Sequence, residues 1–138
     1  MLSSISRAWL SSFVTVTPTR PKIIVLGSGW GSFNFLQKID KTKFDVTCIS
    51  PANHFLFTPL LPSSAIGTVE FRSIQEPIRA IPGMAGKYLQ AKATSVDFAN
   101  QKLHGAEIFF NQTFVQDYDL LLIATGNKTN TFNVENVR

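Results

Sequence analysis

One cysteine, Cys48, stands in a chain of 138 residues. A single thiol excludes an internal disulfide, a cysteine-based metal cluster and the paired redox cysteines of a disulfide reductase. Placed mid-strand, Cys48 reads as a small buried hydrophobe, and no metal site is expected. No run reaches the roughly 18 apolar residues that a spanning helix requires. Membrane contact, if the protein makes it, is therefore expected through a part other than this one. Charge is sparse at 16%, and no Asp or Glu precedes Asp40. The net charge of +4 does not point to nucleic acid. Lys and Arg are scattered, no block of like charge forms, and no aromatic–basic interleaving makes a stacking platform.

What is present suits a globular chain. Hydrophobic residues make up 44% of it, enough for the core of one ordinary domain and too many for wholesale disorder. Phe is unusually common at 12 copies, which suggests heavily buried elements or an apolar ligand slot.

The acid-free start carries Arg7 and Arg20 among many Ser and Thr. Leu2, Ile5, Trp9 and Phe13 fall on one face of a helix. An amphipathic, basic, Ser-rich start reads as a mitochondrial transit peptide over residues 1–20, with 15–21 as the linker. A secretory signal fits less well, because Ser11 and Ser12 interrupt its apolar stretch. A plain disordered tail is the remaining alternative.

Lys22-Ile-Ile-Val-Leu26 is short, apolar and β-branched, as befits a strand buried on both faces of a parallel sheet. It runs into Gly27-Ser28-Gly29-Trp30-Gly31-Ser32, after which Ser32, Phe35, Leu36 and Ile39 recur at helical spacing. Strand, glycine turn and helix together form the context of a dinucleotide fingerprint. Gly27 permits the tight turn, Gly29 lets backbone approach a pyrophosphate, and the helix offers unpaired N–H groups and its positive dipole end. Ser32 occupies the third slot, where a small residue lets helix and strand pack. A second strand, Phe44-Asp-Val-Thr-Cys-Ile-Ser50, ends at Ser50-Pro51 without the carboxylate that usually grips a ribose. On spacing alone the choice between NAD and FAD stays open.

Residues 51–86 read as a long helical or looped excursion. Lys87–Val96 alternates as a strand, Asp97–Asn100 is a turn, and an antiparallel partner begins at Gln101. Residues 105–116 read as a short Phe-rich hairpin. Asp117-Tyr-Asp-Leu-Leu-Leu-Ile-Ala-Thr-Gly126 reads as a buried apolar strand ending in Ala124-Thr125-Gly126, Gly126 allowing close backbone approach. The expected fold is α/β: a partial Rossmann-like domain over 21–138, with a parallel sheet and an antiparallel β-meander.

Leu26-Gly-Ser-Gly-Trp-Gly-Ser32, Ile49-Ser-Pro51 and Phe55-Leu-Phe-Thr-Pro-Leu-Leu-Pro-Ser63 together resemble type II (alternative, non-proton-pumping) NADH:quinone oxidoreductases. Gly67-Thr-Val, Arg72-Ser-Ile74 and Glu76-Pro-Ile-Arg79 continue that pattern in order. The likeness covers most of 21–138, and it accommodates Ser50-Pro51, since eukaryotic members tend to read Ser-Pro there. Ala52 departs from it, standing where an Arg is common. The Phe-Thr-Pro-Leu-Leu-Pro and Arg-Ser-Ile segments weigh against other flavoproteins that share the glycine loop, such as sulfide:quinone reductases.

The resemblance implies a flavoprotein with two dinucleotide-binding domains, and FAD as the group on this loop. Gly27, Ser28, Gly29, Gly31 and Ser32, with Trp30 among them, would lie at its pyrophosphate and Ser50 at its adenosine ribose. Thr58 and Pro59 would lie beside the isoalloxazine, Ala93 and Thr94 near adenine, and Ala124, Thr125 and Gly126 at the returning strand end. His54 reads as a surface or capping residue, and no catalytic acid, base or hydride-positioning residue is assigned. NADH and quinone would be bound through parts beyond this sequence, including a second dinucleotide domain and a C-terminal membrane part. The expectation is thus the N-terminal part of an enzyme associated peripherally with the mitochondrial inner membrane, with homodimerisation left open. A stand-alone remnant without turnover is the alternative. A reporter fused behind residues 1–20 should enter mitochondria; a reporter that stays in the cytosol contradicts the transit-peptide reading.

Overall fold

The computed structural model describes residues 19–110, 112–127 and 132. Apart from Thr19 and Arg20, the expected leader lies outside the described residues. Strand β1 (Lys22–Leu26) sits inside a parallel sheet, flanked by β2 (Asp45–Ser50) and β8 (Leu120–Ile123). It is buried on both faces, as its composition predicts. Ile23 and Val25 enter a core with Leu36, Val46, Cys48 and Phe55, while Ile24 and Leu26 join Ile49, Ala91, Leu103 and Tyr118.

Helix α1 (Trp30–Lys38) covers the first of these faces. Leu36 is its fully buried anchor, a burial worth about 1.5–3 kcal/mol. Phe33, Phe35 and Ile39 pack against the same core. Lys38 stands in the last turn, where positive charge complements the dipole. Ile39 adopts extended backbone and ends the helix. Asp40 then accepts bonds from the Thr42 N–H and hydroxyl, turning the chain into β2.

The excursion after β2 is more ordered than a helical or looped reading implies. It contains an antiparallel pair, β3 (His54–Leu56) and β4 (Gln75–Pro77), enclosing α2 (Leu61–Ala65) and the 3-10 turns Thr58–Leu60 and Phe71–Ile74. Three residues are too few to show alternation in a sequence. A further 3-10 turn, Ile78–Ala80, follows, and Ile78, Ile81 and Met84 bury themselves beneath α1.

Strand β5 (Tyr88–Asp97) serves two sheets in succession. Tyr88–Gln90 pair in parallel with Cys48–Ser50 of β2. From Ala91 the strand pairs instead with β6 (Lys102–Glu107), which pairs with β7 (Thr113–Asp117). This meander packs on the second face of the parallel sheet through Ala91, Leu103 and Phe114. A register shift between Ala93 and Ser95 adds one residue, so Val96 rather than Ser95 faces the core after Ala93. Gly105 is required where the Phe114 ring lies across it, since a Cβ there would stand 2.4 Å from the ring.

Strand β8 departs from its expected burial. It is the last strand of the sheet order β7-β6-β5-β2-β1-β8. Leu121 and Leu122 reach the two cores, but Leu120 is 54% and Ile123 57% exposed. An apolar run predicts two covered faces, and among the described residues only the middle of this one has them.

Candidate functional site

The carboxyl ends of β1 and β2 and the start of the meander enclose a cleft of about 420 Å³. Such ends are where ligands bind in open α/β sheets. Gly27, Ser28, Gly29, Ser50, Ala93 and Thr125 line it, together with Pro51, Ala52, Ala91 and Lys92. Among the described residues, no carboxylate lines the cleft, and Lys92 is the one charged residue that does. A second, polar crevice lies at the other end of β1, and three of its four charged groups have partners. Asp119 accepts the Lys22 N–H, Asp117 pairs with Lys102, and Arg20 donates to the Lys41 carbonyl.

The glycines of the loop differ in what demands them. Gly27 has φ +105, and a Cβ there would stand 2.3 Å from the Ala124 carbonyl oxygen. Both conditions bar an L side chain. The crossing is held from either side: Gly27 N–H donates to Ile49 O at 2.9 Å, and Ala124 N–H to Leu26 O at 3.0 Å. Gly29 has φ −81, which any residue adopts, and a Cβ there meets nothing within 4 Å. Nothing among the described residues requires glycine at that position. A Cβ at Gly31 would meet the Ala124 methyl at 3.5 Å, an ordinary van der Waals contact, and Gly31 does not line the cleft.

Helix α1 begins beside this loop without a side-chain cap and without an acid in its first turn. Its first bond runs from Phe33 N–H to Gly29 O, so the preceding N–H groups lie outside its ladder and the positive dipole end carries no counter-charge. Below the loop, Cys48 Sγ donates to the Gly27 carbonyl at 3.4 Å. Burial pushes this thiol up to about 12, so it is protonated and structural at neutral pH.

Ser50 is buried and hydrogen-bonds Ser28 Oγ at 3.0 Å while accepting the Ala52 N–H at 3.3 Å. Two coupled hydroxyls thus stand where a dinucleotide fold commonly carries an acid. Trp30 and Thr58 form a neighbouring cluster outside the cleft. Trp30 Nε1 donates to Thr58 Oγ1 at 3.3 Å, and the indole meets Phe55 edge-on at 4.8 Å and Phe57 at 5.3 Å. Phe33 stacks on Phe55 at 4.2 Å. The Thr58-Pro59 turn is thereby tied to the first residue of α1.

The family profile of the pyridine nucleotide-disulphide oxidoreductases matches residues 21–138. The chain belongs to this family. Within it, the chain is 48% identical over 118 residues to a probable NADH dehydrogenase of Dictyostelium discoideum, covering 84% of this chain and 26% of that protein. It is 44% identical over 124 residues to the mitochondrial external alternative NAD(P)H-ubiquinone oxidoreductase B4 of Arabidopsis thaliana, covering 86% and 21%. Among solved structures, NDH2 of Plasmodium falciparum in complex with NADH superposes with a TM-score of 0.76 at 45% identity, over 83% of this chain and 24% of that one. The resemblance read from the sequence motifs therefore holds, and the chain spans about a quarter of the length of these relatives.

A pyridine nucleotide-disulphide oxidoreductase domain gives the fingerprint positions their context, and several residues sit elsewhere than expected. Ser32 does not line the cleft: it is fully buried on the inner face of α1, and its Oγ has no hydrogen-bond partner among the described residues. Thr94 is the residue added at the register shift and is exposed, while Ala93 reaches the cleft. Ala124 packs between Gly27 and Gly31, Thr125 alone of its motif lines the cleft, and Gly126 takes φ +68 at the turn beyond. His54 is half-buried in β3, and its ring lies 2.8 Å from the side-chain oxygen of its neighbour Asn53. Lys92 and Ala52 went unforeseen, because strand alternation sets Lys92 opposite Ala93 and gives Ala52 no signal at all.

An unpaired buried hydroxyl costs about 1–3 kcal/mol in desolvation. Ser32→Ala should therefore raise the stability of the flavin-free protein by about 1 kcal/mol, read as a higher midpoint in denaturant. A lower midpoint would show that the hydroxyl has a partner.

Proposed function

We propose that this chain supplies the FAD-binding part of an NADH:quinone oxidoreductase of the type II class. The observation that carries the reading is Gly29, a glycine on the cleft wall that the polypeptide itself does not need. Space kept free of side chain, at the mouth of an uncapped helix and with no acid nearby, fits the approach of a pyrophosphate.

The roles follow from placement. Gly27 and Gly29 bring backbone to the pyrophosphate, and the first turn of α1 offers it N–H groups and positive potential. The Ser28–Ser50 hydroxyl pair meets the adenosine ribose, and Ala93 with Thr125 closes the adenine side and the return. The Thr58-Pro59 turn, braced by Trp30, forms an apolar wall beside the isoalloxazine, limiting water there. When bound, the flavin accepts hydride equivalents from NADH and passes electrons to quinone. No residue of this chain is assigned an acid–base step.

NADH and quinone are bound through further parts of a longer enzyme. The names of the plant relatives and the basic, acid-free leader support a mitochondrial protein. No helix among the described residues is long and apolar enough to cross a membrane.

Gly29→Val in the native full-length product should weaken FAD binding about a hundredfold or more, equivalent to roughly 3 kcal/mol. The flavin-free variant should melt with the parent, because the added side chain enters open space. Fluorescence titration with FAD checks the first point and thermal unfolding the second. A variant that purifies with bound FAD would sink the proposal.

A further inference from the structure

Where β2 ends, the chain must turn, and the carbonyls of Ser50, Pro51 and Ala52 all come to rest on side chains of β5. The Tyr88 hydroxyl lies 2.8 Å from Ser50 O and 3.1 Å from Ala52 O, one donor shared by two carbonyls. Gln90 Nε2 donates to Pro51 O at 3.0 Å. Tyr88 is buried, with the Arg79 guanidinium 5.3 Å from its ring centre. Its hydroxyl stays protonated at neutral pH, because burial pushes it up to about 12.

These bonds decide which atoms the turn presents to the cleft. A carbonyl oxygen is the negative end of a dipole, and one aimed at a dinucleotide would repel phosphate and compete for ribose donors. Tyr88 and Gln90 hold all of these oxygens, while Ser50 Oγ takes the Ala52 N–H. What remains for the cleft is the Ser50–Ser28 hydroxyl pair. With Ser50 donating to Ser28 Oγ, the Ser28 hydroxyl keeps its own proton for a ligand acceptor.

We infer that Tyr88 and Gln90 are positioning residues for nucleotide recognition: they clamp the 50–52 turn so that a hydroxyl pair does the ribose recognition that a carboxylate does in other dinucleotide folds. The inference rests on the reading that this cleft binds FAD.

The test compares two ligands on the native full-length protein: FAD, and an FAD analogue whose adenosine ribose lacks both free hydroxyls. Tyr88→Phe keeps the ring and its Arg79 contact and removes only the clamp. It should weaken FAD about tenfold, the loss of one well-placed hydrogen bond, and leave the dideoxy analogue's affinity nearly unchanged. Coupling between residue and ribose is the readout that a merely structural role would not give. Equal weakening of both ligands, or weakening of neither, overturns the inference. If Tyr88→Phe does not fold, Gln90→Met decides by the same comparison, with a smaller effect expected. A parent protein that binds neither ligand overturns the FAD reading itself, an outcome distinct from failure of the clamp.

Discussion

Two strand ends pass so close that no side chain fits between them. The turn out of β1 crosses the backbone of Ala124 at a separation that only Gly27 permits, and its positive φ makes the same demand independently. Hydrogen bonds from Gly27 to Ile49 and from Ala124 to Leu26 fasten β1, β2 and β8 to one another at this level. The start of α1, the floor of the cleft and the return of the chain after β8 all take their positions from that crossing. A side chain at Gly31 would meet the Ala124 methyl only at ordinary contact distance, so the close crossing rests on Gly27 alone of the two.

Around this fixed crossing, the cleft is defined as much by what is withheld as by what is offered. Gly29 contributes an unfilled space, the end of β2 carries no acid, and the helix mouth carries neither cap nor counter-charge. Each feature lowers the free energy of an approaching anion. A carboxylate at the end of β2 would grip a ribose strongly but would set a negative charge beside a pyrophosphate. On the proposed reading the serine pair would give a weaker, neutral contact, next to a turn whose carbonyls accept bonds from Tyr88 and Gln90 of β5.

Local signals were legible in the sequence because their causes are local. A β-branched run between Pro21 and Gly27 marks a strand, and a glycine at a strand–helix junction allows the positive φ that the turn at Gly27 takes. The meander was visible through alternation and its turn residues. Features that depend on distant partners were not legible. The pairing of Leu56 with Gln75 spans a loop, and its three-residue strands carry no period. The exposure of Leu120 and Ile123 reflects which strands flank them, which composition does not encode. The register shift that adds Thr94 leaves no mark in the sequence, and the fingerprint slot at Ser32 says where backbone packs and not whether a hydroxyl finds a partner. The bonds from Tyr88 and Gln90 join residues 36 to 39 positions apart, beyond the reach of any motif.

The central claim is that this cleft holds FAD, and the most direct measurement is the identity of the small molecule released from the native protein. Purified product carrying these residues should, on denaturation, release FAD at close to one equivalent per chain, resolved by chromatography from FMN, NAD and free adenine nucleotides. Release of NAD or FMN in that amount, or a purified product that neither carries nor takes up FAD, would contradict the account.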